Sequence, residues 1–202
     1  GHRHGELVLP MLERLLAQRG LSVRALDAVA FGAGPGAFTG LRIACGVAQG
    51  LALARGIPLL GVSTLETVAE ESGAQRAVVC LDARMREVYY AALERASGGW
   101  REAVAAQCVA PAAAPLPPGA GWLGCGNGFA AYGEVLRSRF GAALARVSAQ
   151  THPSAVALAR LAAPRLAAGQ GVDAALAAPS YLRDKVALTI QERKGSQERE
   201  GR

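Results

Sequence analysis

The stretch AFGAGPGAFTGLRIACGVAQGLALARG, residues 30–56, restricts the fold more than any other part of the chain. A short apolar run over 28–31 reads as a buried strand, followed by a glycine-rich turn and a helix with almost no polar face. Gly32, Gly34, Gly36 and Gly40 offer positive-φ freedom and close backbone approach, Pro35 stiffens the turn, and Thr39 is placed to cap the helix. A glycine loop that opens a helix commonly receives an anion. The Walker pattern is excluded, because no lysine precedes Lys185. Gly32, Gly34 and Ala37 fit the relaxed G-x-G-x-x-G/A spacing, but a dinucleotide site also wants an acidic residue about 20 positions later. The chain has Arg55, Gly56, Ile57 and Pro58 there, so the turn reads as structural.

Between Leu41 and Leu53 only Arg42 and Gln49 are strongly polar, and helical spacing puts them on one side. Gly46 and Gly50 form one stripe of small residues; Ala44, Ala48 and Ala52 form another. A helix apolar nearly all round is buried on more than one side. It is either central to the core, or has one face in its own domain and one against a partner. The preceding helix, expected over 6–19 and ended by Gly20, repeats the theme. Leu7, Val8, Leu9, Met11, Leu12, Leu15 and Leu16 cover roughly 200° of its wheel, twice the stripe a single core requires. That excess predicts an assembly surface or an unusually deep core.

Four motifs occur in order: H-G-E-L-V-L-P-M-L from His4, G-x-G-P-G-A-F-T-G-L-R from Gly32, L-D-A-R-M-R-E-V-Y-Y from Leu81 and P-S-Y-L-R from Pro179. Together they resemble the bacterial TsaB (YeaZ) family, the glycoprotease-like subunit of the tRNA threonylcarbamoyladenosine machinery, over His4 to about Val186. The resemblance implies an α/β, two-lobed actin-like/ribonuclease-H-like (ASKHA) fold. Residues 1–75 would form the first lobe, 76–182 the second, and 183–202 a charged, partly disordered tail. Family members open with a strand-rich segment carrying a D-T-S-like motif. This chain starts at Gly1 without it, so the first lobe is expected to lack its N-terminal strands.

The resemblance further implies a non-catalytic subunit that dimerises with the catalytic paralogue, with no cofactor and no metal. A homodimer when alone, an ATPase as third subunit and tRNA contacted only indirectly complete the partner set. Gly32, Gly34, Pro35, Gly36, Phe38, Thr39, Gly40 and Arg42 are then the family's glycine-turn motif. Leu9, Leu12, Leu16, Ala44, Ala48 and Ala52 are expected at the partner interface, in a four-helix bundle. Two rival readings are a nucleotide-binding hydrolase or kinase of the same superfamily, and a free-standing RNA-binding module.

Composition sets outer limits. A chain of 202 residues, 51% hydrophobic, can bury a proper core, and no apolar run is long enough to span a bilayer. Cys45, Cys80, Cys108 and Cys125 include no C-x-x-C pair and sit in apolar surroundings, as reduced thiols of a cytoplasmic protein do. The net charge of +6 is spread along the chain and interleaved with acids, which argues against one dedicated nucleic-acid patch.

Further along, strands are expected over 58–62, 77–81, 87–93 and 122–124, with helices over 64–71, 130–140 and 154–168. The alternation predicts βαβ units, an antiparallel hairpin at 77–93 and a Pro/Ala/Gly loop at 110–121. Ser63 or Thr64 supplies the cap for the helix over 64–71. Catalytic chemistry is sparse. His2 and His4 are too close for a helical zinc pair, and the H-x-x-x-H motif of the catalytic paralogues is missing. His152, before Pro153, reads as a surface turn residue. Asp82 stands at a strand end, where superfamily members place a phosphate- or Mg²⁺-associated carboxylate; the alternative is a turn former that bonds its own backbone. Glu87 is expected to pair with Arg84 or Arg86 across the hairpin.

Overall fold

The computed structural model describes residues 4–183; His2 and the tail beyond Arg183 lie outside the described residues. Helix α1 (His4–Ala17) carries Pro10 in its interior. The chain then enters β1 (Val29–Gly34), crosses through α2 (Phe38–Arg55) and returns in β2 (Leu59–Ser63). β1 and β2 are parallel, with Val29 opposite Leu59, as the alternation predicted. Ser63 caps α3 (Thr64–Glu71), its Oγ accepting the Glu66 N–H at 3.4 Å.

A second sheet follows. Strands β3 (Arg76–Arg84), β4 (Glu87–Ala96) and β5 (Gly99–Val109) form an antiparallel meander. Strands β6 (Trp122–Cys125) and β7 (Leu144–Ser148) add parallel to β3 on its other side, giving the order β5-β4-β3-β6-β7. Among the described residues no single six-stranded Rossmann sheet forms; the architecture is the two-sheet α/β arrangement that the resemblance implied. β5 and β7 were not anticipated. β5 contains Ala103, Ala105 and Ala106, and its strand form comes from pairing along β4 rather than from propensity. The helix expected over 130–140 divides into α4 (Gly128–Ala131) and α5 (Gly133–Phe140), because Tyr132 leaves helical geometry at φ −131°.

The large sheet is covered on both faces. Ala77, Val79 and Leu81 point to α3, while Val78 and Cys80 point to Phe129, Leu136 and Phe140 of α4 and α5. The small sheet is also sandwiched. α2 covers Phe31, Ala33 and Leu59; α6 (Ala155–Ala167), capped by Ser154, covers Leu60 and Val62 with Leu161 and Ala162. A parallel sheet needs both faces covered, and the chain supplies the second cover from its far end. Helix α6, which lies within the span expected for the second lobe, packs on the first sheet. Arg165 Nη2 on Glu66 Oε2 at 2.7 Å ties α6 to α3.

Two expectations about α2 also change. Its N-cap is Ala37, which makes no side-chain cap, so Thr39 lies inside the first turn rather than capping it. The alanine stripe faces inward: Ala48 and Ala52 are only 4% and 1% exposed, and Ala44 packs against the same cluster. Ala48 and Ala52 are thus buried in the chain's own core, where small side chains let α2 lie close on β1, while Ala44 is half-buried. Gly46 and Gly50, roughly 200° around the wheel from Ala44 and Ala48, face open space instead.

This packing sets the cost of three substitutions. Gly34 has φ 114°, and a Cβ there would lie 2.6 Å from Ser180 O; Gly34→Ala is expected to cost roughly 2–3 kcal/mol in urea unfolding. Gly46→Ala, meeting nothing within 4 Å, is expected to add up to about 1 kcal/mol. Ala48→Arg buries a guanidinium without a partner and is expected to unfold the chain in circular dichroism, by about 3 kcal/mol or more.

Candidate functional site

The glycine-turn motif is spread over three elements. Gly32 and Gly34 end β1, residues 35–37 turn after a cis Gly34–Pro35 bond, and Phe38, Thr39, Gly40 and Arg42 lie in the first turns of α2. Of the four glycines only Gly34 has positive φ. That opening admits a distant part of the chain: Ser180 donates its N–H to Ala33 O at 2.7 Å.

The segment over 174–183 runs along α2 and then crosses to the large sheet. Gln49 Nε2 donates to Ala174 O and Ala177 O, both at 3.0 Å, which explains why Gln49 shares a side with Arg42. Arg42 lies 3.8 Å over the Phe38 ring and donates from Nε to the Tyr181 hydroxyl at 3.3 Å. The Phe38 and Tyr181 rings stand 5.5 Å apart. Arg183 then bonds Glu87, Arg84 O at 3.4 Å and Cys108 Sγ at 3.5 Å. The expected pairing of Glu87 with Arg84 or Arg86 is thus corrected: its partner is Arg183, 96 residues further along the chain. Three motifs distant in sequence meet here. Sequence reasoning singled out P-S-Y-L-R but gave no role to Tyr181 or Arg183.

Asp82, half-buried at the end of β3, is held by its own turn. Its Oδ1 accepts the Arg84 N–H at 2.8 Å and the Tyr132 hydroxyl at 3.3 Å, and Oδ2 pairs with Arg84 at 3.3 Å. Its own N–H donates to Asn127 Oδ1 at 3.0 Å. This is the turn-former geometry of the two alternatives. Burial, and then the Asp82 carboxylate, push the Tyr132 phenol up. A cavity of about 310 Å³ lies alongside, walled by residues of the 35–37 turn, Thr64, Asp82, Asn127 and the exposed His152. Among the described residues no group of three His, Cys, Asp or Glu is placed to hold a metal.

All four cysteines are free; Cys45, Cys80 and Cys125 are buried and Cys108 is half-buried. Burial pushes the Cys125 thiol up to about 12 and Cys80 well above its ordinary value. Cys108 is raised by burial and then by its hydrogen bond to Glu87. These thiols stay protonated at neutral pH and are poor nucleophiles.

The outer helices present a different surface. Gly5 of α1 approaches Ile43 of α2, its Cβ position 3.7 Å from Cδ1. Beyond that contact, Leu7, Leu9, Met11 and Leu15 are exposed by 45–60%. Leu12 and Leu16 are half-buried. On α2, Gly46, Gly50 and Leu53 are exposed. No helix among the described residues is long and apolar enough to cross a membrane.

Comparison with known proteins agrees with this architecture. The family model described as TsaD: tRNA N6-adenosine threonylcarbamoyltransferase matches residues 1–191. The Escherichia coli protein named tRNA threonylcarbamoyladenosine biosynthesis protein TsaB is 36% identical over 193 residues, covering 91% of this chain and 82% of that protein. Two solved structures from Pseudomonas aeruginosa, one called YeaZ and one described as similar to peptidase YeaZ, superpose with a TM-score of 0.81 at 40% identity. They cover 89% of this chain and 84–85% of theirs. The chain belongs to the TsaD-type family and, within it, to the TsaB (YeaZ) members.

Proposed function

We propose that this chain is the non-catalytic subunit that pairs with a catalytic TsaD-type paralogue in tRNA N6-threonylcarbamoyladenosine biosynthesis, in the cytoplasm. The observation that carries the reading is the outer face of α1 and α2. Leu7, Met11 and Leu15, four apart on α1, form an apolar row that the chain's own core leaves uncovered, and Leu9 is exposed on another side of the same helix. Gly46 and Gly50 sit in a helix interior, where each costs about 1 kcal/mol relative to alanine, yet nothing in this fold comes near them. Glycines without an internal reason fit a second helix whose backbone packs close from outside. Leu9, Leu12 and Leu16 stay in the interface; Gly46, Gly50 and Leu53 take the place of the alanines.

The cleft supports the non-catalytic part of the reading. Asp82, the one carboxylate expected to serve a phosphate or Mg²⁺, is engaged by Arg84, Tyr132 and its own turn. Binding energy from the helix face would hold the catalytic paralogue in its active form, and the same face would support a homodimer in the paralogue's absence. An ATPase third subunit would act on the assembled pair.

Two experiments test this. Reconstituted tRNA modification, quantified as the modified nucleoside, is expected to require this chain; equal modification without it refutes the role. Leu9→Glu and Gly50→Arg are each expected to weaken association with the paralogue more than tenfold by sedimentation, with thermal melting of the isolated chain unchanged.

A further inference from the structure

The tip of the β3–β4 hairpin is built from residues poorly suited to its backbone. Arg84, Met85 and Arg86 adopt φ of 60°, 54° and 60°, the left-handed region that glycine and asparagine tolerate best. Such strain persists where the side chains are needed. Here they are well displayed: the Arg84 side chain is 87% exposed, Met85 is 57% exposed, and Arg86 is exposed with no ion-pair partner among the described residues.

The tip borders a groove of about 200 Å³ whose walls include Phe38, Leu41, Met85, Tyr89 and Tyr181. Phe38 and Tyr181 are 38% and 43% exposed, and Arg42 stands on the rim beside them. Asp82 pairs with Arg84 and Glu87 with Arg183, which leaves Arg42 and Arg86 without a carboxylate partner among the described residues. Flat aromatic faces flanked by guanidiniums are the chemistry of single-stranded nucleic acid binding, where bases stack and phosphates meet cations.

We infer that this surface, made by the hairpin tip, the start of α2 and Tyr181, contacts a single-stranded segment of RNA directly, giving the chain its own hold on the tRNA. The inference rests on the proposed role in tRNA modification and departs from the indirect contact expected from sequence. The charge is scattered along the sequence, but the fold sets Arg42 against both aromatic rings and Arg84 in the wall of their groove, with Arg86 two residues further along the hairpin tip. An acidic protein segment also satisfies the charge, but makes no use of two flat rings at the groove.

The test uses the whole chain with an RNA anticodon stem-loop, alone and mixed with the TsaD-type paralogue, with binding followed across salt concentrations. Arg84→Asn with Arg86→Asn keeps residues that accept left-handed φ, so melting should be unchanged. The double variant is expected to lower the slope of log affinity against log salt by about 1.4. Tyr181→Ala is expected to weaken binding about 5- to 100-fold, with Tyr181→Phe restoring it. Undiminished RNA binding by both the Asn pair and Tyr181→Ala overturns the inference. So does displacement by poly-glutamate that is indifferent to Tyr181, which assigns the surface to an acidic protein segment. Failure of the wild-type chain to associate with the paralogue tells against the proposed function instead, because the chain-only RNA arm reads this surface independently.

Discussion

Ser180 donates its N–H to Ala33 O at 2.7 Å, and its own carbonyl passes so near Gly34 that no side chain fits between them. The placement of the segment over 174–183 depends on that crossing. Before it, the segment is fastened along α2 by Gln49; after it, Tyr181 meets Phe38 and Arg42, and Arg183 reaches Glu87 on the other sheet. This segment thus ties the two sheets together. Arg165 on Glu66 and Ser154 on Glu71 add ties between α6 and α3.

The crossing also accounts for the spread of the glycine motif. One glycine is required by backbone geometry, at φ 114°. The others serve the neighbourhood: Gly36 lies against Leu41, its Cβ position 3.6 Å from Cδ2, and Gly40 keeps the first turn of α2 slim. Their spacing resembles a phosphate loop, but the glycine that meets the crossing segment is Gly34, against Ser180.

Much of this was legible in the sequence. The βαβ unit, the capped α3, the β3–β4 hairpin and α6 all carry local signals, either periodicity or a capping serine. What escaped was non-local. β5 is alanine-rich and is a strand only because β4 pairs with it along Val88–Ala96. The return of α6 to the first sheet needs to be known from packing, since its sequence says only that it is a helix. Glu87 has Arg84 and Arg86 as neighbours in sequence, yet pairs with Arg183; the left-handed tip turns the nearer arginines outward. The alanine and glycine stripes of α2 show the same limit. Periodicity separates the two faces, but only the position of β1 decides which one is inside.

That decision carries the functional argument. Alanine lets a helix lie close on its own sheet at no cost in helix propensity, so Ala48 and Ala52 are what an internal contact selects. Glycine removes one more carbon and weakens the helix, so it is retained only where something comes closer than a methyl group allows. On the inner face of α2 the fold itself sets the distance. On the outer face, at Gly46 and Gly50, the described chain offers no such neighbour, while α1 beside it exposes Leu7, Met11 and Leu15 in one row. The same helix therefore uses two grades of small residue on opposite sides, and the more costly grade faces outward, where a second subunit's helices would set the spacing.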